Sequence, residues 1–300
     1  MTDFKDKKTA VALGTFDGLH TGHMSVINKA VIRKDHGLLP VILLFDENPA
    51  TALTGIIKKA LFSGEVKNRI IRNTGCIPHT VDFTRIKDMS PEEFVKEILV
   101  NELNAKAVCC GFNYRFAKGG KADTETLRQL CESYDISVTV ADEVDFDGDC
   151  ISSTRIRKAI ENGDIRKANA MLGRNFSYSY EVVSGDRRGR TLGFPTINQF
   201  FTDDLTVPKY GVYASAAFVE GRWYPAVTDI GIRPTVGNSA PRSETSIIGW
   251  SGDLYGTHTE IALIEYLREE IKFEDFDALK AQIKKDSNLA EDIFSKEEFR

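Results

Sequence analysis

Two histidines three residues apart, His20 and His23, close the string Gly14-Thr15-Phe16-Asp17-Gly18-Leu19-His20-Thr21-Gly22-His23. An apolar run precedes them. If a helix starts there, both imidazoles share one face of its first turn. That end of a helix has unpaired N–H groups and the positive pole of the macrodipole, which attract phosphate. Imidazoles so placed can donate hydrogen bonds to a phosphoryl group as negative charge builds on it. Gly14, Gly18 and Gly22 allow a ligand close to the backbone. Alone, H-x-x-H is as readily a capping or surface pair, and a zinc pair would lack a third ligand. Inside this glycine-rich string, after a strand, the phosphate reading is the better one.

A second anion-binding pattern follows at Ile151-Ser152-Ser153-Thr154-Arg155-Ile156-Arg157, with hydroxyls at a helix start and two arginines in its first turn. The second half carries different chemistry. Gly185, Gly189 and Gly193 recur every fourth residue around Arg187, Arg188 and Arg190. This is neither a P-loop nor a dinucleotide fingerprint, because the Gly-Lys-Ser/Thr ending and the G-x-G-x-x-G spacing are missing. Just beyond lie Thr196 and Asn198. On an extended segment they point to one face, and a hydroxyl with an amide oxygen suits Mg²⁺ that also holds ATP phosphates. Glu244 begins another apolar run. Phosphoryl transfer to an alcohol needs a base or an orienting carboxylate, since the hydroxyl is neutral.

The elements that must hold these residues read in two styles. Over the first half, apolar runs at 10–16, 39–45, 79–83, 106–111 and 136–140 alternate with amphipathic stretches at 24–33, 65–72, 90–102 and 124–134. Ser90-Pro91-Glu92-Glu93 is a helix start with a capping box. Strands spaced by helices predict a parallel sheet covered on both faces, an α/β, Rossmann-like domain. Two helices follow, at 154–162 and 165–172. From Tyr178 onward the pattern changes to short strands at 180–184, 212–219, 223–230, 244–250 and 259–267, with a hairpin at Glu220-Gly221 and a last helix at 276–285. That spacing predicts a mainly β small barrel with a terminal helix. The expected boundary divides the chain into 1–173 and 174–300.

The 300 residues suit two domains. A net charge of −5 leaves no basic excess for coating nucleic acid. The N-terminus has no apolar signal region and no run is long enough to span a bilayer, so a cytoplasmic protein is expected, with neither membrane nor nucleic acid as partner and no obligatory protein partner. The five cysteines, all in the first half, lack metal-site spacing and read as reduced thiols.

The H-x-G-H string and the later I-S-S-T-x-I-R resemble the nucleotidyltransferase superfamily, in which an acceptor phosphate attacks the α-phosphorus of ATP and pyrophosphate leaves. A phosphate monoester, with its second pKa near ~6, is already ionised and needs no base. The second half, with Gly185 through Asn198, Gly211-Val212-Tyr213, Asp229 through Thr235, Glu244, Asp253-Leu254-Tyr255-Gly256 and the ending Leu267-Arg268-Glu269-Glu270, resembles riboflavin kinase. In this order the two parts resemble the bifunctional prokaryotic riboflavin kinase/FAD synthetases. The resemblance implies that riboflavin is phosphorylated to FMN, and that FMN is then adenylylated to FAD, with Mg²⁺ and ATP in both steps. It implies that Gly14, Phe16, Asp17, His20, His23, Asn48, Ser153, Thr154 and Arg157 bind ATP in the first domain, and that Asn113 and Phe116 bind its flavin. In the second it implies Gly185, Arg190, Thr196 and Asn198 for ATP, Thr196 and Asn198 for the metal, and Glu244 for activating the riboflavin 5′-hydroxyl. Asn48 stands where the family commonly has histidine, Ala117 where it has glycine, and Tyr180 where it favours glycine. Two rival readings stay open: a kinase whose N-terminal half no longer turns over, and a non-catalytic flavin- or nucleotide-binding regulator.

Overall fold

β1 (Thr9–Leu13) is the sequence TAVAL, buried along its whole length. Apolar runs of this kind suit the middle of a parallel sheet, where neither face meets water. In the computed structural model, which describes residues 4–184, 194–232 and 240–299, β1 is joined by β2 (Leu39–Phe45), β3 (Ile77–Val81), β4 (Ala105–Gly111) and β5 (Ser137–Ala141) in a parallel sheet of order β3-β2-β1-β4-β5. The helices are α1 (Thr21–Val31), α2 (Pro49–Thr54), α3 (Gly64–Asn73), α4 (Phe83–Ile86), α5 (Pro91–Glu93) and α6 (Thr124–Glu132). Ser90 and Glu93 form the expected capping box, with Ser90 Oγ accepting from the Glu93 N–H and the Glu93 carboxylate accepting from the Ser90 N–H. Beyond α5 the chain winds as a π-helix over Phe94–Glu102, and its Phe94, Val95, Ile98 and Leu99 are buried in the core. An apolar face of this kind fits α and π winding alike, so the sequence pattern predicts a helix there without distinguishing the two. A short hairpin, β6 (Asp145–Phe146) with β7 (Asp149–Cys150), was not foreseen.

The chain forms two compact units, Met1–Lys58 with Lys67–Ser152, and Lys59–Val66 with Ser153–Arg300. The second therefore takes in a segment that begins after α2 and runs into the start of α3. Within that unit Ala60 pairs with Leu205, and the Ser179 N–H donates to Ser63 Oγ. It also contains α7 (Ser153–Asn162) and α8 (Ile165–Leu172).

The rest of the second unit is antiparallel. β8 (Phe176–Glu181), β9 (Thr196–Phe200), β10 (Gly211–Val219), β11 (Arg222–Gly231), β12 (Arg242–Ile247) and β13 (His258–Arg268) form a sheet of order β8-β13-β10-β11-β12-β9. A single bridge from Val183 to Asn198 links the chain just past β8 to the far edge strand, curling the sheet into a half-barrel. One face points inward and carries Tyr213, Thr228 and Thr245, with hydroxyls linked from Ser215 to Thr228 to Thr245 at 2.8 Å each. On the other face, Ala214 and Ala216 make room for α9 (Phe276–Phe294), which packs Ala290 and Ile293 against them. α9 continues well past residue 285, the expected end, because Ala290 and Ile293 extend the apolar face. The Glu220-Gly221 hairpin is present, both residues having positive φ (51° and 83°) as a tight two-residue turn requires.

Candidate active sites

In the first unit the strand order reverses direction between β1 and β4, and in open α/β sheets that crevice, at the carboxyl ends of the strands, is where ligands bind. The turn after β1 and the segment after β4 both open there, since Leu13 pairs with Cys110. The turn is conformationally strained: Phe16 and Leu19 hold φ of 45° and 44°, and both side chains are fully buried. Bulky residues in that region cost on the order of 1–3 kcal/mol each, and persist only where packing over-determines them.

His20 caps α1, its Nδ1 accepting the His23 N–H at 3.3 Å. The acceptor role of Nδ1 leaves the proton of the neutral ring on Nε2. The two imidazoles stack at 3.7 Å between centroids and 17° between planes, and the Phe16 ring meets His23 edge-on at 5.5 Å. Two glycines serve these rings. A Cβ on Gly14 would sit 3.1 Å from the Phe16 ring, and one on Gly22 would sit 3.3 Å from the His20 ring. Gly14, expected at the nucleotide, is thus filled on its Cβ side by Phe16. Burial, followed by the neighbouring His20 and Lys67, holds the His23 imidazole well below the ordinary histidine value. Its Nδ1 is buried with no hydrogen-bond partner among the described residues. Buried polar atoms of this kind are rare and call for a functional reason.

Two cations beside this turn escaped the sequence reading. Lys67, half-buried on α3, interacts electrostatically with His23 and with Asp17, and burial lowers its ammonium pKa while Asp17 opposes the shift. Lys58 Nζ lies 3.9 Å from Asp17 Oδ2. Neither lysine belongs to a motif, and only the fold brings them near.

Asn48 caps α2 at the end of β2, its Oδ1 accepting the Ala50 N–H at 2.9 Å. Asn113 is exposed just beyond β4, its Oδ1 3.6 Å from where a Gly111 Cβ would be. Phe116 is buried, packed on Phe94 and Tyr114 at 5.3 and 5.8 Å. The structure therefore places Phe116 in the core, while Phe112, which no motif singled out, exposes its ring. Ser153, Thr154 and Arg157 open α7 in the other unit, where Arg157 Nε donates to the Lys59 carbonyl at 2.7 Å.

The second unit assembles its residues on β9 and β12. Thr196 and Asn198 lie on one extended strand and pair directly with Ser246 and Glu244. Glu244 in turn pairs with Asp229 of β11, so Asn198, Glu244 and Asp229 form a row across three strands. Arg242 reaches Glu244 Oε1 at 2.7 Å. A cleft of about 180 Å³ opens beside Thr196, walled by Ile247, Trp250, Leu254 and Tyr255. Gly185 and Arg190 lie outside the described residues, as do Arg187, Arg188 and Arg233. The cysteines Cys76, Cys109, Cys110, Cys131 and Cys150 are all free thiols, and the first four are buried.

Each half of the chain matches a known family. A family model described as FAD synthetase matches residues 3–155, and one described as riboflavin kinase matches residues 172–294. A bifunctional riboflavin kinase/FMN adenylyltransferase from Listeria monocytogenes is 35% identical over 98% of this chain and 95% of its own. The chain belongs to this bifunctional family. Its Bacillus subtilis relative is 32% identical over 96% of this chain and 93% of its own. A crystal structure described as a macrolide-efflux protein from Streptococcus pneumoniae matches at a TM-score of 0.86 and 28% identity, over 97% of each chain. None of the described helices here is long and apolar enough to cross a membrane. Both activities of the family, riboflavin phosphorylation to FMN and FMN adenylylation to FAD, have their matched segment in this chain.

Proposed function

We propose that this chain makes FAD in two steps at two sites, with roles for its residues as follows. Adenylyl transfer is assigned to residues 1–173 and the kinase step to residues 174–300, although α7 and α8 pack within the second compact unit. The observation that carries the reading is the register of β9 and β12. Asn198 and Glu244, far apart in sequence, are direct cross-strand partners, with Thr196 on the same face.

In the kinase step Glu244 accepts the proton of the riboflavin 5′-hydroxyl. The oxygen bonds to the γ-phosphorus of ATP as the bond to ADP breaks. Thr196 and Asn198 offer a hydroxyl and an amide oxygen beside a carboxylate, a donor set that fits Mg²⁺. When bound, the ion supplies charge neutralisation to the phosphates. Gly185 and Arg190 are assigned to ATP on their motif alone.

In the adenylyl step an FMN phosphate oxygen bonds to the α-phosphorus of a second ATP and pyrophosphate leaves. No base is required, so catalysis consists of alignment and charge stabilisation. His20, with its Nε2–H, and His23 donate to the phosphates. Lys67 supplies positive charge that neither histidine carries when neutral. Gly14, Phe16 and Asp17 shape this turn. Asn48, standing where the family commonly has histidine, offers an uncharged amide donor, and Asn113 contacts the flavin. Phe116 supports that segment from the core. Ser153, Thr154 and Arg157 are assigned to ATP on their motif alone. The enzyme works in the cytoplasm on small molecules, without a nucleic-acid, membrane or obligatory protein partner.

Reciprocal variants test the assignment. Glu244→Gln stops FMN formation and leaves FMN-to-FAD conversion intact, whereas His20→Ala with His23→Ala does the reverse. Chromatography of flavin products reads both. Loss of both activities in either folded variant refutes the separation of sites.

A further inference from the structure

The carboxylate assigned to activate the riboflavin hydroxyl does not stand alone on its sheet. Glu244 and Asp229 are directly opposed residues on neighbouring strands, so their side chains share one face. Like charges so placed repel, and each carboxylate is driven to turn from the other. A third carboxylate lies close by. The Glu270 side chain packs over Gly231, so tightly that a Cβ there would fall 2.5 Å from Glu270 Oε1. Gly231 is the residue directly across from Arg242.

Arg242 answers this concentration of negative charge. It lies two residues before Glu244 on β12, hence on the same face, and its guanidinium meets Glu244 Oε1 at 2.7 Å. The pair is withdrawn from water, with only 11% of the Arg242 side chain and 20% of the Glu244 side chain exposed. A guanidinium is planar and always charged, and it binds a carboxylate with fixed direction. Its Nε is buried and without a hydrogen-bond partner among the described residues, so the group is held by packing and by its carboxylate neighbour. The pair is also local in sequence, which lets β12 alone set its geometry.

We propose that Arg242 is a positioning residue for the kinase reaction. It anchors one oxygen of Glu244 against the repulsion of Asp229, fixing the carboxylate where it meets the substrate hydroxyl. The inference rests on the role assigned to Glu244 above. Arg242 touches no substrate in this account. Its loss therefore lowers the fraction of enzyme with a correctly turned base and leaves substrate binding alone.

The test uses the full chain and follows FMN formation from riboflavin and MgATP, with thermal unfolding as a check on folding. Arg242→Ala is expected to lower kcat roughly 10- to 100-fold, part of the roughly 10²- to 10⁴-fold worth of a positioned base. The KM values for riboflavin and MgATP stay within about twofold. Arg242→Lys, which keeps the charge but not the planar fork, recovers part of kcat. Asp229→Asn added to Arg242→Ala also recovers part, because the repulsion that Arg242 opposes is gone. Should Arg242→Ala fold poorly, Arg242→Gln, alone and with Asp229→Asn, gives the same comparison. Unchanged kcat in Arg242→Ala, KM values that rise with the fall in kcat, or absence of recovery in both second variants overturns the proposal. Glu244→Gln separates the two levels. If it retains wild-type FMN formation, the role of Glu244 fails and this inference with it. If it is inactive while Arg242→Ala is fully active, only the present inference fails.

Discussion

Gly22→Ala offers a test of the adenylyl site that leaves every proposed contact group in place. Gly22 sits in the first turn of α1 without a positive φ, so the backbone accepts alanine. The new methyl would lie 3.3 Å from both Cε1 and Nδ1 of His20, closer than such contacts normally come, and the ring must retreat by a few tenths of an ångström. Its hydrogen bond from the His23 N–H is already 3.3 Å long and has no slack. Losing a helix cap costs about 1 kcal/mol, and exchanging glycine for alanine in a helix returns up to about 1 kcal/mol. Net stability therefore stays within about 1 kcal/mol of wild type. Catalysis is less forgiving. A 1 Å misplacement can cost about 10²-fold, so a few tenths should cost roughly three- to tenfold in FMN-to-FAD conversion. The assay is a product time course from FMN and MgATP, with riboflavin phosphorylation by the same preparation as internal control. An unaltered rate of FAD formation, or an equal fall in both activities, refutes the argument that His20 placement matters.

Two further outcomes follow from buried groups. The His23 pKa is lowered in the folded chain, while the unfolded chain titrates near the ordinary value of about 6.5, so the unfolded state binds the extra proton first. The stabilisation from neutral His23 is thus complete above about pH 6.5 and is lost as pH falls toward the folded value, by up to about 1.4 kcal/mol per pH unit. Denaturant unfolding between pH 7 and 5 should show this slope, reduced in His23→Gln; identical slopes would contradict it. Burial also pushes the thiols of Cys109, Cys110 and Cys131 up to about 11, about 12 and about 12. A thiol reagent at pH 8 should therefore spare these three in the folded protein and react first at half-buried Cys150. Rapid labelling at Cys109 or Cys110, read by mass spectrometry, would contradict the packing.

Much of this was legible in the sequence because the informative residues act locally. The string that leads from β1 to His20 and His23, the Ser90 capping box and the Glu220-Gly221 turn are each contiguous in sequence, and propensity and spacing settle such features. Pairing Asn198 with Glu244 required a strand register, which depends on packing across the whole sheet. The same holds for Lys67, whose neighbours His23 and Asp17 come from the fold and not from a motif. Phe116 shows the opposite limit. A motif marks a position, but only the packing of Phe94 and Tyr114 around it reveals that its ring is core. The segment Lys59–Val66 joins the second unit through pairings such as Ala60 with Leu205, which no local signal announces.

The most direct measurement follows isotope from ATP into flavin. With riboflavin and ATP labelled at the γ-phosphorus, label should appear in FMN and be retained in FAD; with ATP labelled at the α-phosphorus, label should be absent from FMN and present in FAD. Label from the α-position in FMN, or none from it in FAD, would contradict two ATP-consuming sites acting in sequence on one flavin.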